Sequence, residues 1–183
     1  MTSIQEYCAS TGRSLEASPP MAVAAQPLTW VDNPPWQRID SPEPSAVIYV
    51  DPAAHRDGFS PNAVATCARV TPAMGTEQAV DMIVATADSL TDWVLLDQVA
   101  GEGDVSAGAV RSAYRYLRGT YSAEPGQMAT SSLIVGWSDD EATYVFQFVV
   151  TGWREDVSVH DDAMGCLLIG EWTAAQIVDA MRG

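Results

Sequence analysis

The residues of this 183-residue chain whose chemistry reaches beyond packing are two histidines, three cysteines and a few clusters of carboxylates. His55 stands beside Arg56 and Asp57, and His160 precedes Asp161 and Asp162. An imidazole next to a carboxylate suits a general base, provided that geometry brings a proton within reach. As sequence, each histidine reads first as a loop residue or a lead-in to a helix. A Cys67–His160 pair makes a nucleophile for a hydrolase only if Cys67 is partly exposed beside a positive group, and the apolar stretch around Cys67 argues against that. No Gly-x-Ser-x-Gly elbow occurs.

Two acidic groups offer oxygen ligands to a hard cation: Asp139, Asp140 and Glu141, and Glu155 and Asp156 with Asp161 and Asp162. Neither has the spacing of an EF-hand loop, and turn and cap chemistry accounts for both. Gly101-Glu102-Gly103 precedes no helix cap and lies among acids, which disfavours a phosphate cradle. Cys8, Cys67 and Cys166 are odd in number and lack C-x-x-C spacing, which argues against a disulfide framework; Cys67 and Cys166 lie in apolar stretches and are expected to be inert buried thiols, in keeping with a reducing compartment. The residues thus point away from an enzyme and call for neither cofactor nor metal.

The aromatic residues offer another kind of chemistry. Tyr114, Tyr116, Tyr144, Phe146 and Phe148 fall on alternating stretches, where cross-strand pairing is their ordinary use. Trp30, Trp36, Trp137, Trp153 and Trp172 fall at strand ends or in connections, where a ring either closes the core or anchors a partner. Trp36, Trp137 and Trp153, with Phe59, are the candidate contacts to a partner or ligand.

Composition narrows the partners. The net charge is −15 although only 18% of residues are charged, and every basic residue is an arginine. Such a surface repels phosphate, which argues against nucleic acid and anionic membrane and permits a basic protein partner. Apolar residues make up 47% of the chain, enough for a single domain burying about two-thirds of its unfolded surface. The N-terminus shows no basic segment followed by an apolar one, Cys8 lacks a lipoprotein cleavage context, and no apolar run approaches a membrane span. A soluble, cytoplasmic protein is the expectation.

The elements that must position these residues can be read in order. Residues 1–25 are small and polar and expected to be flexible or partly helical; 26–183 read as one domain. Strands are expected at Pro27–Val31 and Ala46–Val50. Asp51-Pro52 and the corner through Gly58 and Pro61 lead to a central strand, Ala63–Val70, apolar on both faces. Thr76 is expected to cap a helix whose stripe is Ala79, Val80, Ile83, Val84, Ala87 and Leu90. A strand follows at Trp93–Val99, then a loop at Gly101–Asp104. Three strands joined by short polar turns, Ala109–Tyr121, Met128–Trp137 and Thr143–Thr151, make an antiparallel meander. Asp161 or Asp162 is expected to cap a second helix, and Thr173 a last one.

With that order laid out, the chain resembles the actinobacterial LpqN/LpqT-type proteins, whose wider grouping is the Mog1/PsbP-like, or DcrB-like, fold. The resemblance rests on Pro35-Trp36, on Asp57-Gly58-Phe59 with Pro61-Asn62-Ala63-Val64, on the acidic helix at Thr76, and on the aromatic strand running into Thr151-Gly152. It covers roughly residues 26–170. It implies an α+β fold, with an antiparallel sheet of about six strands flanked by helices as an α/β/α sandwich. It also implies partner binding, with no catalytic residue to carry over. A non-enzymatic protein-binding domain, such as an inhibitor or chaperone of a basic partner, is therefore the first expectation. Binding of a small apolar ligand is the second, and a Cys- or His-dependent hydrolase the third.

Overall fold

The computed structural model describes residues 3–20, 22–24, 26–31, 35–41, 43, 45–104, 111–124 and 126–183. Helix α1 (Ile4–Thr11) opens on a capping box, in which the Ser3 hydroxyl accepts from the Glu6 N–H while the Glu6 carboxylate accepts from the Ser3 N–H. This reciprocal pairing satisfies two of the donors a helix start leaves over. Gly12, at φ +70°, ends the helix. Strand β1 (Ser14–Ser18) follows, then the short β2 (Ala22–Val23), β3 (Gln26–Trp30) and β4 (Gln37–Ile39). The segment expected to be flexible or partly helical thus contributes α1 and the two strands β1 and β2, and Ile4 and Cys8 are buried.

The chain continues through β5 (Ala46–Val50), β6 (Asn62–Thr71), α2 (Thr76–Val84) and a 3-10 turn (Ala85–Ser89). The strands β7 (Val94–Asp104), β8 (Arg111–Ala123), β9 (Gly126–Ser138) and β10 (Thr143–Trp153) come next. Helix α3 (Val157–Cys166), β11 (Leu167–Ile169), β12 (Trp172–Thr173) and α4 (Ala174–Arg182) complete it.

The main sheet has eight strands, in the order β4-β5-β6-β10-β9-β8-β7 with β1 also on β6. Every pair is antiparallel; β8 to β10 form the expected three-strand meander, and β7 extends it by one strand. The edge of β6 is shared: β5 takes Asn62 to Thr66 and β1 takes Cys67 to Thr71. The path holds seven strands where about six were expected, and the N-terminal β1 makes the eighth. A second, small sheet runs β12-β11-β3-β2.

The two faces of the main sheet bury different kinds of surface. Val47, Ala65, Phe148, Leu133, Tyr116 and Val99 stand in one cross-strand row on the face under α3, α4 and the small sheet. On the opposite face, α1 and α2 cover Val70, Val145, Ile134, Ala113 and Leu117. Next to these lie Ser132, Thr130 and Gln147, so that face is less apolar along the meander.

Three local expectations are corrected. Gly101–Asp104 is not a loop but the last part of β7, paired with Tyr114 to Arg111, where the ladder to β8 outweighs the weakening that glycine brings to a strand. Helix α2 is capped by Gly75, with Thr76 as its first residue and no side-chain cap bond. Helix α3 starts after Asp156, four residues before Asp161, so Asp161 and Asp162 are exposed mid-helix residues rather than caps. Its inward stripe, Val159, His160, Ala163 and Met164, has helical spacing from the start, whereas Leu167 and Leu168, expected in this helix, lie in β11.

Candidate binding site

The corner after β5 assembles from its own short-range bonds. Asp51, buried at the end of the strand, accepts the Ala53 and Ala54 N–H groups on one carboxylate oxygen at 2.9 and 3.2 Å. Its own N–H donates to the Pro61 carbonyl at 2.9 Å. Beyond it, Arg56 and Phe59 exchange both backbone hydrogen bonds, at 3.0 and 2.9 Å, across Asp57 (φ +50°) and Gly58 (φ +79°). Two successive positive φ values make a type I′ turn, for which Asp-Gly is a favoured pair.

Residues directly opposite in such a pair project to one side, and Arg56 and Phe59 both meet Trp153. Phe59 packs edge-to-face with it at 5.5 Å, and the Arg56 guanidinium lies 4.6 Å from its ring. Arg56 also pairs with Glu155, and with Asp156 at 3.3 Å. Two of the four candidate contacts, Phe59 and Trp153, thus come together although 94 residues apart in sequence numbering. Trp153 is buried, capped by the other two side chains, while Phe59 is half-buried.

The other two candidates lie apart. Trp36 is buried in the core, edge-on to Trp30 at 6.0 Å; Trp30 in turn stacks on Tyr49 at 3.8 Å. Trp137 is half-buried and stacks on Tyr144 at 5.3 Å across the β9–β10 pair. The hairpin beyond it is tied by Asp139, whose carboxylate accepts the Ala142 and Glu141 N–H groups at 2.8 and 2.9 Å. Those two bonds hold its carboxyl below the usual carboxylate range.

The nucleophile and base candidates do not form a constellation. Cys67 is buried on β6, and desolvation pushes its thiol up to about 11, away from the thiolate. His55 is exposed, its Nδ1 2.9 Å from the Ser60 hydroxyl. His160, expected near a helix lead-in, is instead buried inside α3, with both ring nitrogens unpartnered. Burial, and then the nearby Arg118 charge, lower it to about 4. Among the described residues no three His, Cys, Asp or Glu side chains group as metal ligands.

Among the described residues, two concave features stand out. A cleft of 190 Å³ opens where α2 and the 3-10 turn run out over the sheet. Ile83, Leu90, Leu117 and Val149 line it with Thr130 and Gln147. The Gln147 amide donates to the Ser132 hydroxyl at 3.2 Å, and Thr130 donates to the Val150 carbonyl at 3.1 Å. A second cavity, 440 Å³, lies at the start of α2 between Glu77 and Glu102, a setting hostile to anions.

A feature that residue reading missed is on the outer strand. Val94, Leu95 and Leu96 are exposed at 53%, 48% and 60%. The hydropathy of Trp93–Val99 signals a strand, but only strand order reveals it as an edge.

The family model for the probable lipoprotein LpqN matches residues 1–171. A search of curated proteins finds no match. The crystal structure of LpqN of Mycobacterium tuberculosis, described as involved in cell envelope biogenesis, superposes with a TM-score of 0.72. It covers 93% of this chain and 95% of its own at 16% identity, a likeness of fold. These findings correct the expected cytoplasmic location: a family of probable lipoproteins, with a relative that serves envelope biogenesis, points to the cell envelope. No helix among the described residues is long and apolar enough to cross a membrane.

Proposed function

The chain belongs to the family of the probable lipoprotein LpqN, and from that premise we propose that it is a non-enzymatic protein-binding domain of the cell envelope that takes a partner with a basic face. The observation that carries this reading is the balance of charge at the surface. Arg56, Arg69, Arg115 and Arg182 are each in ion pairs with carboxylates of the same chain. Exposed carboxylates such as Glu16, Asp40, Glu43, Asp140, Asp161 and Glu171 add to a net charge of −15. Surface charge of one sign steers an oppositely charged partner and rejects like-charged ones. The raised Cys67 thiol and the interior position of His160 support a binding role over hydrolysis.

Immobilised protein is expected to retain a basic partner from an envelope extract at low salt and to release it as ionic strength rises, since screening weakens exposed charge pairs. Retention that is indifferent to salt, or none at low salt, would sink the reading.

A second reading follows from the cleft beside the 3-10 turn. Its apolar walls and few polar groups have the make-up of a small-ligand site, although its volume holds only a short apolar chain. Native mass spectrometry should show an adduct that disappears in Leu117→Trp, which fills the cleft; a clean apo mass in the wild type counts against it.

A further inference from the structure

We propose that the outer edge of β7 is a strand-addition site for an extended, basic and apolar segment of a partner protein. The inference rests on the protein-binding reading and specifies its surface. Strand β7 ends the main sheet on one side, so among the described residues no strand lies beside the backbone groups it turns away from β8. At eleven residues it is long for an edge. Natural edges are guarded by lysine, proline or short length, yet β7 contains neither lysine nor proline.

The one irregularity lies between Leu95 and Asp97, where the register with β8 shifts and Leu96 is the extra residue. A bulge is ordinarily an edge-protecting device. Here the bulged residue is the most exposed of the large apolar side chains among the described residues, at 60%. Val94 and Leu95 precede it at 53% and 48%. Three consecutive exposed apolar residues beside unpaired backbone are what a docking strand needs: main-chain bonds for affinity, and side-chain contacts for selection.

Charge selects the occupant. Asp92 lies two residues before the strand and Asp97 directly after the bulge. Asp92 accepts from the Ser122 hydroxyl at 2.7 Å, and Asp97 is bound by Arg182 of α4. Both hydrogen bonds hold the carboxylates in place alongside the apolar run. A second copy of this chain would bring another −15 charge to the same edge, and like charges across a strand pair destabilise it. A segment alternating apolar residues with lysine or arginine places its apolar side chains on Leu95 and Leu96 and its cations near Asp92 and Asp97.

The test uses the full chain and two fluorescent octapeptides, one alternating valine with lysine and one alternating valine with glutamate. The valine–lysine peptide is expected to bind in low salt, to slow amide exchange within Val94–Val99, and to leave the other edge strand, β4, unchanged. The Leu96→Lys variant should weaken binding by about tenfold, whereas Leu96→Glu, which loses the same apolar contact but keeps the edge acidic, should lose clearly less. Protection outside β7, equal loss in both variants, equal binding of the two peptides, or no binding overturns the edge assignment. A concentration-dependent dimer abolished by Leu96→Lys identifies a second copy as the occupant and overturns it too. An envelope partner retained equally by Leu96→Lys and wild type leaves the protein-binding reading standing while removing β7 as its surface.

Discussion

Gly136→Ala is expected to destabilise the fold by about 3 kcal/mol, the upper part of the overpacking range. Gly136 lies on β9 beneath the first turns of α2, where a Cβ would come 2.5 Å from Val80 Cγ2 and 3.2 Å from the Thr76 carbonyl oxygen. Val80 is fully buried and short, and the carbonyl belongs to the helix backbone, so neither swings aside. The helix must lift from the sheet. Gly119→Ala is the control: the added Cβ meets the far end of the half-buried Trp93 ring, at 2.1 Å from its outermost carbon. That ring can rotate outward, so the cost there is expected to be smaller. Urea unfolding of both variants measures the difference; an equal or reversed order contradicts the packing described for α2.

His160→Leu is expected to make the protein less sensitive to acid. The imidazole is 1% exposed, and neither nitrogen has a hydrogen-bond partner. Burial first, and the Arg118 charge second, lower its folded pKa from 6.5 to about 4. The sign follows from linkage: between those values the unfolded chain binds a proton that the folded chain refuses, so stability falls as pH drops from 6.5 towards about 4. Above 6.5 the neutral ring contributes no slope. The full loss is about 3 kcal/mol. Leucine is close in volume and removes both the titration and two unsatisfied buried atoms. The stability difference between wild type and His160→Leu should therefore shift in favour of leucine by about 2 kcal/mol on going from about pH 7 to about pH 5. A difference that is constant with pH would show that His160 is hydrated or paired in solution.

The reach of sequence reasoning differs between these positions. Strand β10 announces itself because its residues largely alternate in burial and the turn before it is polar and short; Thr143 to Thr151 pairs on both sides, while β9 is buried on both faces. The Asp57-Gly58 turn is likewise local, since two positive φ values in succession demand such residues. Thr173 caps α4 by a complete capping box with Gln176, again a matter of three residues. The start of α3 was obscured by Asp161 and Asp162, which look like caps but face solvent, while the true cap position is held by Asp156. Strands β1 and β11 carry no strong alternation. They exist because β6 has an open edge beyond β5 and because β3 needs a neighbour.

The candidate site was legible only as a set of residue types. Four aromatic residues were identified, but which of them touch solvent depends on contacts between residues far apart in the chain. Trp153 is covered because Arg56 and Phe59 fold down from the corner, and Trp36 is enclosed by the small sheet and Trp30. The sequence by itself determined the elements whose cause is local: the alternating strands, the Asp-Gly turn, the terminal cap, the excess of carboxylates and the absence of lysine. Tertiary structure alone decided the order of strands in the sheet. That order leaves Val94–Leu96 on an outer edge and places His160 in the interior. Neither outcome is encoded near the residue concerned, because burial and edge position arise from pairings between segments that the chain brings together only on folding.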